Sequence, residues 1–199
     1  MNKIETKFIF DGNDECLDFI NTEIAEKGES IDLIGDFKSL LGWLGEMGYI
    51  DPGTTERLAS ESDGEKQEIQ NKVKAFRAGL RATAELIAEG KPLRQTHLEP
   101  INEILKNEAA YSNLILINGK AELVTNSAGG GYDPLTPIAQ AAAELLTKKD
   151  LSLVRKCANP NCPLFFYDGS KNHRRRWCSM GRCGNRMKAA LHYEKSKRR

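Results

Sequence analysis

The sequence predicts an α+β protein in two parts: a mainly helical N-terminal domain with a small β-hairpin, and a C-terminal, treble-clef-like module built on four cysteines. Three observations carry that prediction. Apolar residues recur at three- and four-residue spacing through most of positions 14–147. An Asn-Gly pair, Asn118-Gly119, separates two short apolar runs. Four of the five cysteines stand as two C-x4-C pairs near the C-terminal end. We expect one unit over residues 1–150 and a second over 151–199.

Each element has its own warrant. Phe8-Ile9-Phe10 is a short strand candidate. Residues 14–25 place Leu17, Ile20 and Ile24 on one side of a helix, and Phe37, Leu40, Leu41, Leu44 and Met47 mark a second, amphipathic one. Asp51-Pro52-Gly53 reads as a turn with a short helix after it. Residues 65–89 form a long helix whose stripe is Ile69, Val73, Phe76, Leu80, Ala84 and Ile87, and Lys91-Pro92 ends it. Another helix covers 96–109, the Asn-Gly hairpin joins runs 114–117 and 121–124, and an alanine-rich helix covers 137–147. In the last module, Cys157-Ala158-Asn159-Pro160-Asn161-Cys162 is a turn-rich knuckle. Residues 164–167 have strand character, Asp168-Gly169-Ser170 turns, and 174–178 is expected to return as a second strand. Ser179 is a candidate N-cap for a helix over 187–191.

Charge is divided unevenly. The chain holds 29 Lys and Arg against 28 Asp and Glu, a net of +1. Residues 155–199 carry 13 of the basic residues and only Asp168 and Glu194, a net of +11, which leaves 16 basic and 26 acidic residues, a net of −10, in residues 1–154. An acidic body with a basic end suggests a polyanionic partner. No run approaches the roughly 18 apolar residues of a membrane span. The first fifteen residues lack the apolar core of a secretory signal, so a cytoplasmic location is expected.

Cys157, Cys162, Cys178 and Cys183 read C-x4-C, fifteen residues, C-x4-C. Zinc takes four thiolate or imidazole ligands in a tetrahedron, and two short-spaced pairs supply them. The competing accounts are disulfides, disfavoured where thiols stay reduced, and free buried thiols. Only 45 residues lie between Arg155 and Arg199, too few for a core without a staple, so the ion is expected to be structural. Four thiolates leave no open coordination position, which argues against metal-assisted hydrolysis. His173 and His192 are replacement ligands of last resort.

These residues carry a resemblance. The run from Cys157 through Asp168, Ser170, Arg175-Arg176-Trp177-Cys178-Ser179-Met180 to Cys183-Gly184-Asn185-Arg186 closely resembles the CGNR zinc finger. Cys16-Leu17-Asp18-Phe19-Ile20-Asn21-Thr22 is similar to the LDFxNT signature of the ABATE domain, which precedes this finger in proteins classed as stress-induced transcription regulators. The resemblance implies a bacterial DNA-binding regulator with a ligand-sensing N-terminal domain; that this domain instead mediates dimerisation is a separate expectation, from the small contact a 45-residue finger offers.

The basic end suits that expectation. Arg174, Arg175, Arg176, Arg182, Asn185, Arg186 and Lys188 are candidate contacts to duplex DNA, because arginine forks pair with phosphate or guanine edges. Asn185 and Arg186 have a rival role as hydrogen-bond donors to cysteine sulfurs or knuckle carbonyls. Gly184 is expected where backbone approaches its surroundings closely, and Trp177 is read as core. In the body, Gly129-Gly130-Gly131 lacks the Gly-Lys-Ser/Thr of a phosphate loop and reads as a connector. His97 stands alone, Cys16 reads as a small core residue, and no catalytic constellation stands out, so no enzyme is expected. Asp18, Asn21, Thr22 and Arg77 are a candidate ligand pocket for a small anion or polar metabolite; the competing account is capping, an internal ion pair or solvent exposure. The leading expectation is thus a zinc-dependent DNA-binding transcription regulator, with a homodimer and a small-molecule effector as further expectations. The alternatives are an RNA-binding or ribosome-associated protein, or a docking module on an enzyme-like domain.

Overall fold

The computed structural model describes residues 8–26, 28–106, 110–117, 120–127 and 133–197. Helix α1 (Glu15–Ile20) begins where the Asp14 carboxylate accepts the Leu17 N–H. It is shorter than the helix expected over 14–25. Thr22 turns its hydroxyl back onto the Phe19 carbonyl, and the chain leaves as an unexpected antiparallel hairpin, β1 (Glu23–Glu26) with β2 (Glu29–Asp32), in which Ile24 faces Ile31. Gly28, at φ +89°, supplies the left-handed residue in the connection.

Helices α2 (Phe37–Glu46) and α3 (Pro52–Ala59) are capped by Asp36 and Asp51. Asp51-Pro52-Gly53 is thus the start of a helix, with Pro52 in the first turn where its missing N–H costs nothing. Helix α4 (Asp63–Ala88) opens with a capping box between Ser62 and Glu65. Helix α5 (Gln95–Lys106) follows, then the expected hairpin: β3 (Ala110–Ile117) pairs antiparallel with β4 (Lys120–Ser127). Helix α6 (Thr136–Lys148) leads through a 3-10 turn (Leu151–Leu153) into β5 (Val154–Lys156), which pairs antiparallel with β6 (Phe165–Tyr167). Residues 174–178, expected as the partner of 164–167, form no strand; β5 takes that place. Helix α7 (Asn185–Lys197) ends the described chain. No helix among the described residues is long and apolar enough to cross a membrane.

Two buried clusters meet at β6. The larger is built on α1, α2, α4 and α6, where Leu17, Phe19, Ile20, Trp43, Leu44, Val73 and Ile138 are almost fully enclosed and the Phe19 and Trp43 rings lie 5.5 Å apart. It also takes in Val154 and Phe165. The smaller cluster joins Ile9, Ile24 and Leu33 to Leu164, Phe166 and the four cysteines. Successive strand residues point to opposite faces, so Phe165 enters one cluster and Phe166 the other. Residues 8–10, expected as a strand, are irregular but run alongside: the Gly12 carbonyl accepts the Tyr167 N–H at 2.7 Å.

Candidate metal centre and basic surface

The knuckle, the loop before Cys178 and the turn before α7 bring four sulfurs together. All four Sγ atoms lie within 4.8 Å of one another, and Cys162 and Cys178 are 3.8 Å apart. A tetrahedron with metal–sulfur bonds of about 2.3 Å has edges of about 3.8 Å, so the donor set fits one ion. Neither His173 nor His192 belongs to the cluster.

Local chemistry explains how each sulfur is held. In the knuckle the Cys157 N–H donates to the Leu164 carbonyl and the Cys162 N–H to the Asn159 carbonyl, both at 2.9 Å. The Asn159 amide donates to Cys183 Sγ at 3.3 Å, and the Cys178 N–H donates to Cys157 Sγ at 3.4 Å. Cys183 sits in a π-turn (Met180–Gly184) whose first carbonyl, on Ser179, accepts the N–H groups of both Cys183 and Gly184. A Cβ at Gly184 would stand 2.5 Å from Met180 Sδ and 3.2 Å from Trp177 Cδ1, which accounts for glycine there. Hydrogen bonds from Cys162 and Cys178 draw the Cys157 thiol down toward the thiolate, and the same contacts push Cys162 and Cys178 up. Thiolates packed this closely repel one another, and a cation among them would offset that repulsion.

The arginines around this centre divide into two groups. Arg175 is half-buried: its guanidinium donates to the carbonyls of Trp177, Cys178 and Asp11 and stacks 4.2 Å from the Phe166 ring centroid. It braces the loop before Cys178, and three backbone carbonyls take up its guanidinium donors, unlike those of the other arginines expected to contact DNA. Asp168, fully buried, anchors the same loop by accepting from Ser170 and the Arg175 N–H. Burial pushes its carboxyl up, but those hydrogen bonds and nearby Arg155 outweigh it and hold the pKa below the ordinary range.

The second group faces outward. Arg174, Arg176, Asn185, Arg186 and Lys188 are exposed. Arg176 lies over the half-buried Trp177 ring at 5.1 Å, and Arg182 is exposed yet 3.4 Å from Asp11. Neither Asn185 nor Arg186 reaches a sulfur; the amide that does is Asn159, which the sequence reading absorbed into a generic turn.

A family model for the CGNR zinc finger matches residues 154–196, and the ABATE model, titled "Putative stress-induced transcription regulator", matches residues 13–149, more than half of the chain. The chain belongs to the ABATE family. No curated protein matches it.

The ABATE signature can now be placed. Asn21 is fully buried and clasps the finger: its amide donates to the Phe165 carbonyl at 2.8 Å, and its oxygen accepts the Phe165 N–H at 2.9 Å. Thr22 accepts from Arg77, whose guanidinium also grips both carboxylate oxygens of Asp32 at 2.7 Å. Burial pushes the Asp32 carboxyl up, and the Arg77 hydrogen bonds and charge more than reverse it. Asp18 accepts the Gly12 N–H at 2.8 Å, and a Cβ at Gly12 would stand 2.8 Å from that carboxylate. Asp18, Asn21, Thr22 and Arg77, expected as a ligand pocket, are all buried, and each makes at least one hydrogen bond within the chain.

Arg81 is a joint whose partners the sequence did not reveal. One turn beyond Arg77, it donates to the carbonyls of Ile20, Glu23 and Pro163, tying α1, β1 and the knuckle together. Its position inside the α4 apolar stripe was the available signal. Cys16 is buried core, and desolvation pushes its thiol up. His97 accepts the Arg94 N–H through Nδ1 at 2.8 Å. Gly129-Gly130-Gly131 and the Asn118-Gly119 turn lie outside the described residues.

Proposed function

We propose that this ABATE protein is a zinc-dependent, DNA-binding transcription regulator in which the ABATE part seats the finger and the finger's outer face contacts duplex DNA. Cys157, Cys162, Cys178 and Cys183 would hold the ion. Zinc in such a site supplies cross-linking energy to a segment too small to fold on its own core. The observation that carries the reading is the separation of arginines around the centre: Arg175 is engaged by backbone carbonyls, while Arg174, Arg186 and Lys188 face solvent with no side-chain partner among the described residues and exposed Arg176 rests only on the Trp177 ring. Phosphate neutralisation by such groups releases counterions and makes binding strongly salt-dependent.

Zinc-loaded full-length protein titrated into labelled duplex DNA at two salt concentrations tests this. Affinity that falls steeply with salt, and that disappears on chelation, is the expected result. Absence of binding at low salt contradicts it, and stronger competition by single-stranded or structured RNA would move the assignment to RNA.

A further inference from the structure

Helix α7 projects from the finger with an unusual surface. Its described side chains are exposed apart from half-buried Met187. A helix whose described side chains beyond Met187 are all exposed gains little from the fold through them, so that surface calls for another explanation. Eight of its thirteen residues fall into three strips on one side. At helical spacing, Asn185, Ala189, His192 and Ser196 form a central strip of small or neutral side chains. Lys188 borders that strip on one side; Arg186, Tyr193 and Lys197 border it on the other. Lys197 lies 4.7 Å over the Tyr193 ring, and the root of the strip adjoins the sulfur cluster through Cys183 and the π-turn.

We infer that α7 is the reading helix: it enters the major groove of B-form DNA with the Asn185–Ala189–His192 strip on the base edges and its bordering cations on the two phosphate backbones. This rests on the DNA-binding reading above and adds which element reads sequence and through which atoms. The B-form major groove is about 12 Å wide and admits one helix. Cations on both borders match the two walls of phosphate, and the neutral strip between them matches a floor of bases. An asparagine amide pairs with adenine N6 and N7, an alanine methyl meets a thymine methyl, and an imidazole N–H reaches a purine N7 or O6. The strip thus favours a core containing an A·T pair opposite Asn185. The A-form major groove is too deep and narrow for side chains to read, so double-stranded RNA is a poor substitute.

Selection from a randomised duplex library by the zinc-loaded full chain, repeated with single variants, tests the inference. Wild-type protein should enrich a core with one strongly preferred adenine. Asn185→Ala should lose that preference, by roughly 5- to 150-fold in discrimination, with the salt dependence unchanged. Arg186→Ala and Lys188→Ala should each weaken all duplexes alike and reduce the log–log salt slope by about one. These residues are exposed, and unchanged zinc content and melting would show each variant folded. If wild type binds DNA and loses affinity on Arg174→Ala or Arg176→Ala, yet the α7 variants alter neither preference nor slope, the reading helix is wrong and the DNA-binding reading stands. Enrichment of no sequence by wild type also overturns it. If wild type binds no duplex, the broader reading falls first.

Discussion

The two faces of the finger use the same residue types for opposite purposes. On the inner face, Asn21 clasps the backbone of Phe165, Gly12 accepts from Tyr167, Arg81 holds the knuckle at Pro163, and Ile9, Ile24 and Leu33 cover the sulfurs. On the outer face, Arg174, Arg186 and Lys188 have no side-chain partner among the described residues, and exposed Arg176 touches only the Trp177 ring. Arg174 and Arg175 are neighbours in sequence, yet one is exposed and the other gives three hydrogen bonds to carbonyls. Basic composition therefore predicts charge, and only the fold tells which charges remain to be spent.

The sharpest way to break the comparison is at the clasp. Asn21→Ala leaves the Phe165 N–H and carbonyl buried without partners, and we expect a loss of about 2–4 kcal/mol in urea unfolding. Asn21→Asp, which sets a buried carboxylate oxygen against the Phe165 carbonyl, should cost at least as much at neutral pH. Arg175→Ala comes next, costing about 1–3 kcal/mol and loosening metal retention, read by competition with a chromogenic chelator. Its neighbour Arg174→Ala should change stability by less than about 0.5 kcal/mol while weakening DNA binding severalfold.

A smaller effect is expected from pH. Burial, with Asp14, Asp11 and Glu15 nearby, raises the Asp18 carboxyl from 3.8 to about 7, although the Gly12 N–H opposes the shift. A raised folded-state pKa means the folded protein holds its proton more tightly than the unfolded chain. The stability it contributes is therefore complete below about pH 4 and is lost as pH rises through about 7. Asp18→Asn, which keeps the acceptor for Gly12, should flatten that part of the stability profile and gain about 1–2 kcal/mol at pH 8. Chemical melts between pH 5 and 8 check it.

Much of this was legible in the chain. Helical spacing located α2, α4, α5 and α6 to within a few residues, because their apolar stripes are long and their caps conventional. Cysteine spacing picked out the residues of the sulfur cluster. The β1–β2 hairpin was hidden because Leu17, Ile20 and Ile24 continue a helical pattern across Asn21 and Thr22, where the local hydrogen bonds instead end the helix. The strand partner of β6 was misassigned because a hairpin over 164–178 looked local, whereas β5 reaches it across the knuckle. The role of the buried signature was not legible for a related reason: a polar residue on an apolar helix signals a partner without saying whether that partner is a ligand or the chain's own backbone. The Phe165 backbone, 144 residues away, is beyond any local pattern.

The most direct test asks whether the metal-organised finger and the body stand as one cooperative unit. Trp43, in the core of the body, and Trp177, beside Cys178, are the only two tryptophans. In a Trp177→Phe variant, the Trp43 fluorescence transition reports the body alone and can be followed in urea with one equivalent of zinc and with excess chelator. The account predicts a single transition that moves to distinctly lower urea when zinc is removed, because β6 and the clasp at Asn21 lose their support. A Trp43 midpoint that is the same with and without the ion would contradict it.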